Sequence, residues 1–357
     1  MLENTHCFFA ASNSFDGFVS YFGEIFSPPE YESMYILKGG PGTGKSSFMK
    51  DILNSLQPYG VKIEAILCSS DPKSLDGLII EKESQKIAII DGTAPHATDP
   101  THPGAIEKIV NLGEFWNGSV IKSNREKIVE LTSLKKQFYT NAYEYLSVAK
   151  KLSDIVLEDI KEVSLPTSEL LESYIVKNEK DNGDVKTRLF SAFGKDGFTE
   201  LPLPTNDKTK IVSIVGIYGS EYLAMENIYL NAKRSSLNFT FSPSPLDKRK
   251  TDAIILTESN TVFSAGRRLL KSDYTIDTSK FINVKKLDCI RNKIETLYKE
   301  RESMLWCAAD EFKKAYDTHL ALEKIYTAAM NFKRSRKIFD KVHKEIKSTL
   351  RIEDINT

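Results

Sequence analysis

The stretch "KGGPGTGKSSFMKDIL", Lys38 to Leu53, decides how the first part of this 357-residue chain is read. Gly39-Gly40-Pro41-Gly42-Thr43-Gly44-Lys45-Ser46 matches the pattern G-x-x-x-x-G-K-[ST] at every fixed position. The spelling has a chemical reason. Glycines let successive backbone N–H groups turn inward around a phosphate chain without Cβ clashes. The lysine then reaches the β- and γ-phosphates, and the serine hydroxyl ligates Mg²⁺. The flanks agree: Met34-Tyr35-Ile36-Leu37 predicts a short apolar strand, and Ser46 to Leu56 predicts a helix with Phe48, Met49, Ile52 and Leu53 on one side. Such a helix aims its positive N-terminal end at an anion. Gly39, Gly40, Pro41, Gly42, Thr43, Gly44, Lys45, Ser46 and Ser47 are therefore the expected nucleotide-binding residues. A bare glycine turn between strand and helix would need neither Lys45 nor Ser46.

Further on, "KIAIIDGTAPH" predicts a buried strand that ends in Asp91. A carboxylate at such a strand tip holds Mg²⁺ through its water shell. Ser46 and Asp91 are thus the expected metal residues, Lys45 and Asp91 the expected catalytic ones, and ATP with Mg²⁺ the expected cofactors. Gly92, not a glutamate, follows Asp91, so the common hydrolytic base is missing and slow hydrolysis is expected. Asp71, Asp76, Glu81 and His96 each offer a group to position a water; loop and turn chemistry explains any one of them as well. His96, Asp99 and His102 lie close together in "PHATDPTHP", but three-residue steps in a proline-rich loop do not define a metal-ligand set.

The second half repeats the first. Aligning Met49 on Met225 also sets Ile52 on Ile228, Asp71 on Asp247, Asp76 on Asp252, and Leu78-Ile79-Ile80 on Ile254-Ile255-Leu256 without a gap. "FAASNSFDGF" near the start has its echo in "FSAFGKDGF" at Phe190 to Phe198. A period this long means duplicated domains rather than a solenoid. The chemistry is not repeated. Glu221 falls where Lys45 stands, Tyr218 puts a side chain into the loop, and the strand matching the Asp91 strand ends in Gly266 and Arg267. An acid in that place repels a polyphosphate. Two folds and one nucleotide site are expected.

Each copy runs on into a stretch without Gly or Pro, from Ser119 to Leu165 and from Arg267 to the end. Leu131, Leu134, Phe138, Ala142, Tyr145, Ala149, Leu152 and Val156 follow alternating three- and four-residue steps and predict a helix with a coiled-coil-like seam. The fold class is therefore α/β: two tandem P-loop NTPase-like units, each a mostly parallel sheet flanked by helices and each followed by a long helical arm. The boundaries are 1–118 for the unit with the intact site, 119–165 for its arm, 166–186 for a polar linker, 187–286 for the degenerate unit and 287–357 for the second arm. The last helix, Asn331 to Arg351, is amphipathic and rich in lysine. It is expected to pack on the other arm with its charged face in water, contact with an acidic partner being the alternative.

Composition sets the bounds. Lysine plus arginine (49) balances aspartate plus glutamate (49), so no global field supports nucleic-acid binding. Cys7, Cys68, Cys289 and Cys307 form no C-x-x-C pair and read as free thiols in a cytoplasmic protein. The N-terminus lacks the pattern of a signal peptide, and no run approaches a membrane span.

The pairing of "KGGPGTGKSSFMK" with "CSSDPKSLDG", "IAIIDGTAPHATDP" and "PGAIEKIVNLGEFW" resembles a bacterial family of duplicated P-loop ATPases over nearly the whole chain. The resemblance implies nucleotide and Mg²⁺ roles for Gly42, Gly44, Lys45, Ser46 and Asp91, and places Asp71, Asp76 and His96 in family-typical segments. Family members carry both sites; this chain departs from the pattern throughout its second loop. An ATP-binding protein with slow or partner-stimulated ATPase activity is the first expectation, its arms serving a protein partner. A small-molecule or nucleotide kinase and a scaffold with structural ATP are the alternatives. Arg267 and Arg268 would act as arginine fingers if the halves packed face to face, solvated surface arginines being the plainer reading.

Overall fold

The computed structural model describes residues 5–165, 183–266 and 272–353. The linker expected at 166–186 lies mostly outside the described residues, and Arg267 and Arg268 lie wholly outside them. The architecture is α/β, with two six-stranded mixed sheets of mostly parallel strands.

In the first copy the strands are β1 (Thr5–Phe9), β4 (Ser33–Lys38), β5 (Lys62–Leu67), β6 (Leu75–Lys82), β7 (Gln85–Asp91) and β8 (Glu107–Asn111), with a separate hairpin of β2 (Ala11–Ser14) and β3 (Gly17–Ser20). The helices are a short α1 (Phe22–Ile25), then α2 (Lys45–Leu56), α3 (Gly118–Ser123) and α4 (Arg125–Val163). The second copy has β9 (Val185–Thr187), the hairpin β10 (Ser191–Gly194) and β11 (Gly197–Glu200), β12 (Lys210–Val215), α5 (Ser220–Arg234), β13 (Phe239–Pro243), β14 (Thr251–Leu256), β15 (Thr261–Ala265), β16 (Tyr274–Asp277), α6 (Val284–Ala329) and α7 (Phe332–Thr349).

The sheets are duplicates. The first has the order β1-β5-β6-β7-β4-β8, and the second, read from its other edge, β9-β13-β14-β15-β12-β16. In each sheet the third strand, β6 or β14, is antiparallel to both neighbours, while the other pairings are parallel. Even the irregularities repeat: the β5–β6 ladder shifts register at Ile66/Leu67 and the β13–β14 ladder at Ser242/Pro243, the same separation that sets Met49 on Met225. A bulge retained at one register is inherited geometry, because it twists the sheet at a defined point.

β4 is buried from Met34 to Leu37, as expected of a central parallel strand covered on both faces. α2 follows because Phe48, Met49, Ile52, Leu53 and Leu56 make one apolar face, all buried against the sheet. Pro58 and Gly60, the latter at φ +66°, end it.

The chain forms two compact units, interleaved in sequence. The first holds the described parts of Met1–Ala10, Ser20–Thr140 and Phe312–Thr357; the second holds Ala11–Val19 and Asn141–Glu311. Each unit thus takes one sheet and portions of both arms. In the second unit Asn13 of the first copy's hairpin donates to the carbonyl of Phe193 at 2.9 Å, and the Phe193 N–H donates to Ser12 Oγ at 3.1 Å.

Two sequence expectations need correction. The buried face of α4 runs through Ala142, Leu146, Ala149, Ser153, Val156, Ile160 and Val163, while Leu134 and Tyr145 of the expected seam are exposed. The two sets share Ala142, Ala149 and Val156, and the buried face keeps a strict four-three spacing by taking Leu146 and Ser153 where the expected seam took Tyr145 and Leu152. The last helix, α7, does not pack on the other arm. Phe339, Val342 and Ile346 enter the core of the first sheet, with Phe339 edge-on to Phe48 at 5.2 Å. No helix among the described residues is long and apolar enough to cross a membrane.

Candidate functional site

The glycine-rich loop joins β4 to α2, and its conformation depends on glycine. Gly39, Gly42 and Gly44 all have positive φ, at +152°, +69° and +86°. Gly44 caps α2 in the left-handed conformation with no side chain bonded to the first turn, so that turn presents backbone N–H groups. Lys45 opens the helix, and its ammonium donates to the carbonyls of Gly39 (2.9 Å) and Gly40 (3.0 Å). It also lies 3.6 Å from Asp91 Oδ2, with both side chains largely buried.

Asp91 gets there by sheet register. β7 runs parallel beside β4, with Leu37 paired to Asp91, so the carboxylate emerges beside the loop. Thr93 fixes it, its N–H and hydroxyl donating to Asp91 Oδ1 at 3.0 and 2.6 Å. Ser46 Oγ accepts from the N–H of Leu75 at 2.9 Å, which ties the start of α2 to the start of β6. These groups fit an anion beside a cation: backbone N–H groups and Lys45 for the anion, the Ser46 hydroxyl and the Asp91 carboxylate for the cation.

The other acids separate. Asp76 is buried one position beyond the Gly77–Ile90 pair of the β6–β7 ladder, which brings it beside Asp91. Burial, then the neighbouring charge of Asp91, pushes its carboxyl up to about 7, opposed by the Cys68 thiol and the Lys45 charge. Burial likewise pushes the Cys68 thiol up. His96 joins the pair, so that one ligand atom from each of Asp76, Asp91 and His96 lies within 4.8 Å of the others. Burial pulls the His96 imidazole down, against the pull of Asp91 and with the help of the Lys45 charge. Glu81 does not belong here: six positions along β6 from Leu75 puts it about 20 Å away, paired with Lys62 at 3.3 Å. Asp71 builds the turn before β6, its carbonyl accepting from Ser74 N–H at 2.8 Å.

The grouping of His96 with Asp99 and His102 dissolves. Asp99 binds Lys38 at 2.8 Å, and His102 lies against the buried carboxylate of Glu107. Glu107 accepts from the N–H groups of Thr101 and His102, closing the loop before β8.

Several residues at the loop have no local sequence signal. Trp116 packs on Gly40 and on the ring of Tyr326 (5.2 Å between centroids). The last turns of α6 lie on Gly42, where the hydroxyl of Thr327 donates to the Gly42 carbonyl at 3.3 Å. Phe332 stands at Gly44. His319, also on α6, is pulled down to about 4, by burial first and then by the charges of Lys135 and Lys45.

The second copy differs in backbone as well as chemistry. Its loop spans 216–219, two residues shorter than 39–44. Ser220 fills the interior: its Oγ accepts from the Ile217 N–H at 3.2 Å and shares a hydrogen bond with Thr278 at 2.8 Å. A Cβ at Gly216 would lie 2.2 Å from Thr278 Oγ1 and 2.4 Å from Ser220 Oγ, so these two hydroxyls crowd the start of the loop. The β15 register also corrects the sequence alignment. The N–H of Gly266 donates to Ile214 as that of Gly92 donates to Leu37, so Ala265, not Gly266 or Arg267, stands in the place of Asp91. The β14–β15 hairpin is shorter, with four residues between the paired Leu256 and Thr261 against six between the equivalent Ile80 and Ile87, and this moves the strand by two residues. Beside this loop lies a cavity of about 420 Å³, lined among others by Tyr218, Glu221, Lys250, Asp252 and Arg301.

Comparison with known proteins finds no matching family model, no matching curated protein and no matching solved structure.

Proposed function

We propose that this chain is a P-loop NTPase of the duplicated kind its sequence resembles, with one Mg-ATP site, in the first copy. The observation that carries the reading is the meeting of Lys45, at the head of α2 under three left-handed glycines, with Asp91 on the adjacent parallel strand. ATP would lie along Gly39 to Ser47, with Mg²⁺ at Ser46 and Asp91, and would supply a phosphoryl group made electrophilic by the metal. Lys45 is held by two loop carbonyls and is therefore already aimed along the loop. Thr93 holds Asp91 in place by donating twice to its Oδ1.

The activity proposed is slow hydrolysis, stimulated by a protein partner. Slowness follows from Gly92, which stands where a glutamate would follow Asp91 in the chain. A partner effect follows from α6, whose last turns touch Gly42 and so feel any movement of the loop. The second copy, with its shortened and filled loop, binds no nucleotide. Phosphate release from Mg-ATP by the full chain tests the reading. Slow release that falls to background in Lys45→Ala and Asp91→Asn is expected; equal release by all three proteins would defeat it.

A further inference from the structure

We propose that Asp76, Asp91 and His96 form a site for one first-row transition-metal dication, Mn²⁺ or Zn²⁺ in class, filled without nucleotide. The inference shares Asp91 with the nucleotide reading and deepens it, but it rests on different atoms and can be tested apart.

Three segments converge. β6 delivers Asp76, β7 delivers Asp91 one pair further along the same ladder, and the loop after β7 brings back His96. Metal bonds of about 2.1 Å put neighbouring ligand atoms roughly 3–4 Å apart. A spread of no more than 4.8 Å therefore closes with small side-chain movements. Two carboxylates side by side already ask for a counter-ion, and Lys45, at 3.6 Å from Asp91, gives only a partial one.

The independent observation is His96. Both of its ring nitrogens are buried and neither has a hydrogen-bond partner. Buried imidazole nitrogens nearly always find one. The ring is not there for want of somewhere else to go: it is stacked face to face on Phe22 at 4.4 Å with an interplanar angle of 3°, which fixes its plane while leaving both nitrogens unsatisfied. A metal ion satisfies one of them directly.

The donor set chooses the metal. Mg²⁺ and Ca²⁺ take oxygen ligands, and Mg²⁺ keeps most of its water; an imidazole nitrogen with two carboxylates favours Mn²⁺, Fe²⁺ or Zn²⁺. The second copy keeps Asp252 in the place of Asp76 but has Ala265 in the place of Asp91, so the stoichiometry is one metal per chain.

The test uses the full chain stripped of metal, with Mn²⁺ as the probe and no nucleotide present. Calorimetry should show one Mn²⁺ per chain, held against a tenfold excess of Mg²⁺. Pulsed electron paramagnetic resonance on the wild-type complex should show coupling to a ¹⁴N nucleus, a readout that does not depend on any variant folding. Asp76→Asn and His96→Gln should each weaken Mn²⁺ at least tenfold, and His96→Gln should remove the nitrogen coupling. No Mn²⁺ binding without nucleotide, binding without nitrogen coupling, or equal binding by the His96 variant would each overturn the proposal. Lys45→Ala separates the two ideas: it should abolish ATP binding and retain Mn²⁺. ATP binding that survives in Lys45→Ala would defeat the nucleotide reading and leave the metal result standing.

Discussion

Replacing Gly42 by alanine probes the contact between the loop and α6. A Cβ at Gly42 would lie 2.5 Å from Thr327 Oγ1 and 2.7 Å from the carbonyl oxygen of Glu323. The threonine can rotate away. The Glu323 carbonyl belongs to helix backbone, so the last turns of α6 must retreat by about 0.7 Å to restore an ordinary 3.4 Å contact. Overpacking of this kind costs about 1–3 kcal/mol. Alanine in the left-handed region adds ~1–2 kcal/mol, and the stiffer unfolded chain returns ~0.4–1 kcal/mol. The net expected loss is roughly 1–5 kcal/mol. Gly60→Ala is the control, because Gly60 has a nearly identical φ of +66° and nothing within 4 Å of the new Cβ. Urea unfolding of both variants isolates the steric part as their difference. The assay has a built-in reporter: of the two tryptophans, Trp306 is 68% exposed, so the blue part of the emission comes from Trp116, which packs on the loop. Gly42→Ala should red-shift it. Equal stability of the two variants with unchanged emission would show that α6 does not rest on the loop.

Phe339→Ala should cost about 3–5 kcal/mol in urea unfolding, because its ring is buried against Phe48 and under Arg336; a loss under about 0.5 kcal/mol, as for a surface site, would put α7 outside the core. Glu221→Lys should not create a second ATP site in a calorimetric titration, since the loop remains two residues short and filled by Ser220. His319 gives a pH signature. Its folded value of about 4 lies below the ordinary 6.5, so the unfolded chain takes up the proton first, and the contribution present above pH 6.5 is lost as pH falls towards 4. With the ring 36% exposed, the loss is discounted to about 1–2 kcal/mol, and His319→Gln should remove that part of the acid sensitivity.

The local features of the site were legible because they are written in adjacent residues. Gly39 to Ser46 give the loop, Met34 to Leu37 the strand before it, and the apolar face of α2 the helix after it. The repeat was legible as well, and the matching strand order and the bulge at Ile66 and Ser242 give it physical form. What stayed hidden depends on register or on long sequence separations. Ala265 takes the place of Asp91 through the length of a turn, which an ungapped alignment does not register. The α4 face was placed correctly at Ala142, Ala149 and Val156 but one residue early at Tyr145 and Leu152, because apolar side chains flank the buried Leu146 and Ser153 and periodicity alone does not choose between neighbours. Thr327, Tyr326 and His319 reach the loop across nearly 300 residues, and nothing in their neighbours announces it. His96 was visible, but its partners were not: the sequence set it beside Asp99 and His102, and the sheet set it beside Asp76 and Asp91.

Calorimetric titration of the full chain with Mg-ATP, alongside Lys45→Ala, tests the central claim most directly. One ATP per wild-type chain and none in the variant is the predicted result. Two ATP per chain, or binding that survives the loss of Lys45, would contradict it.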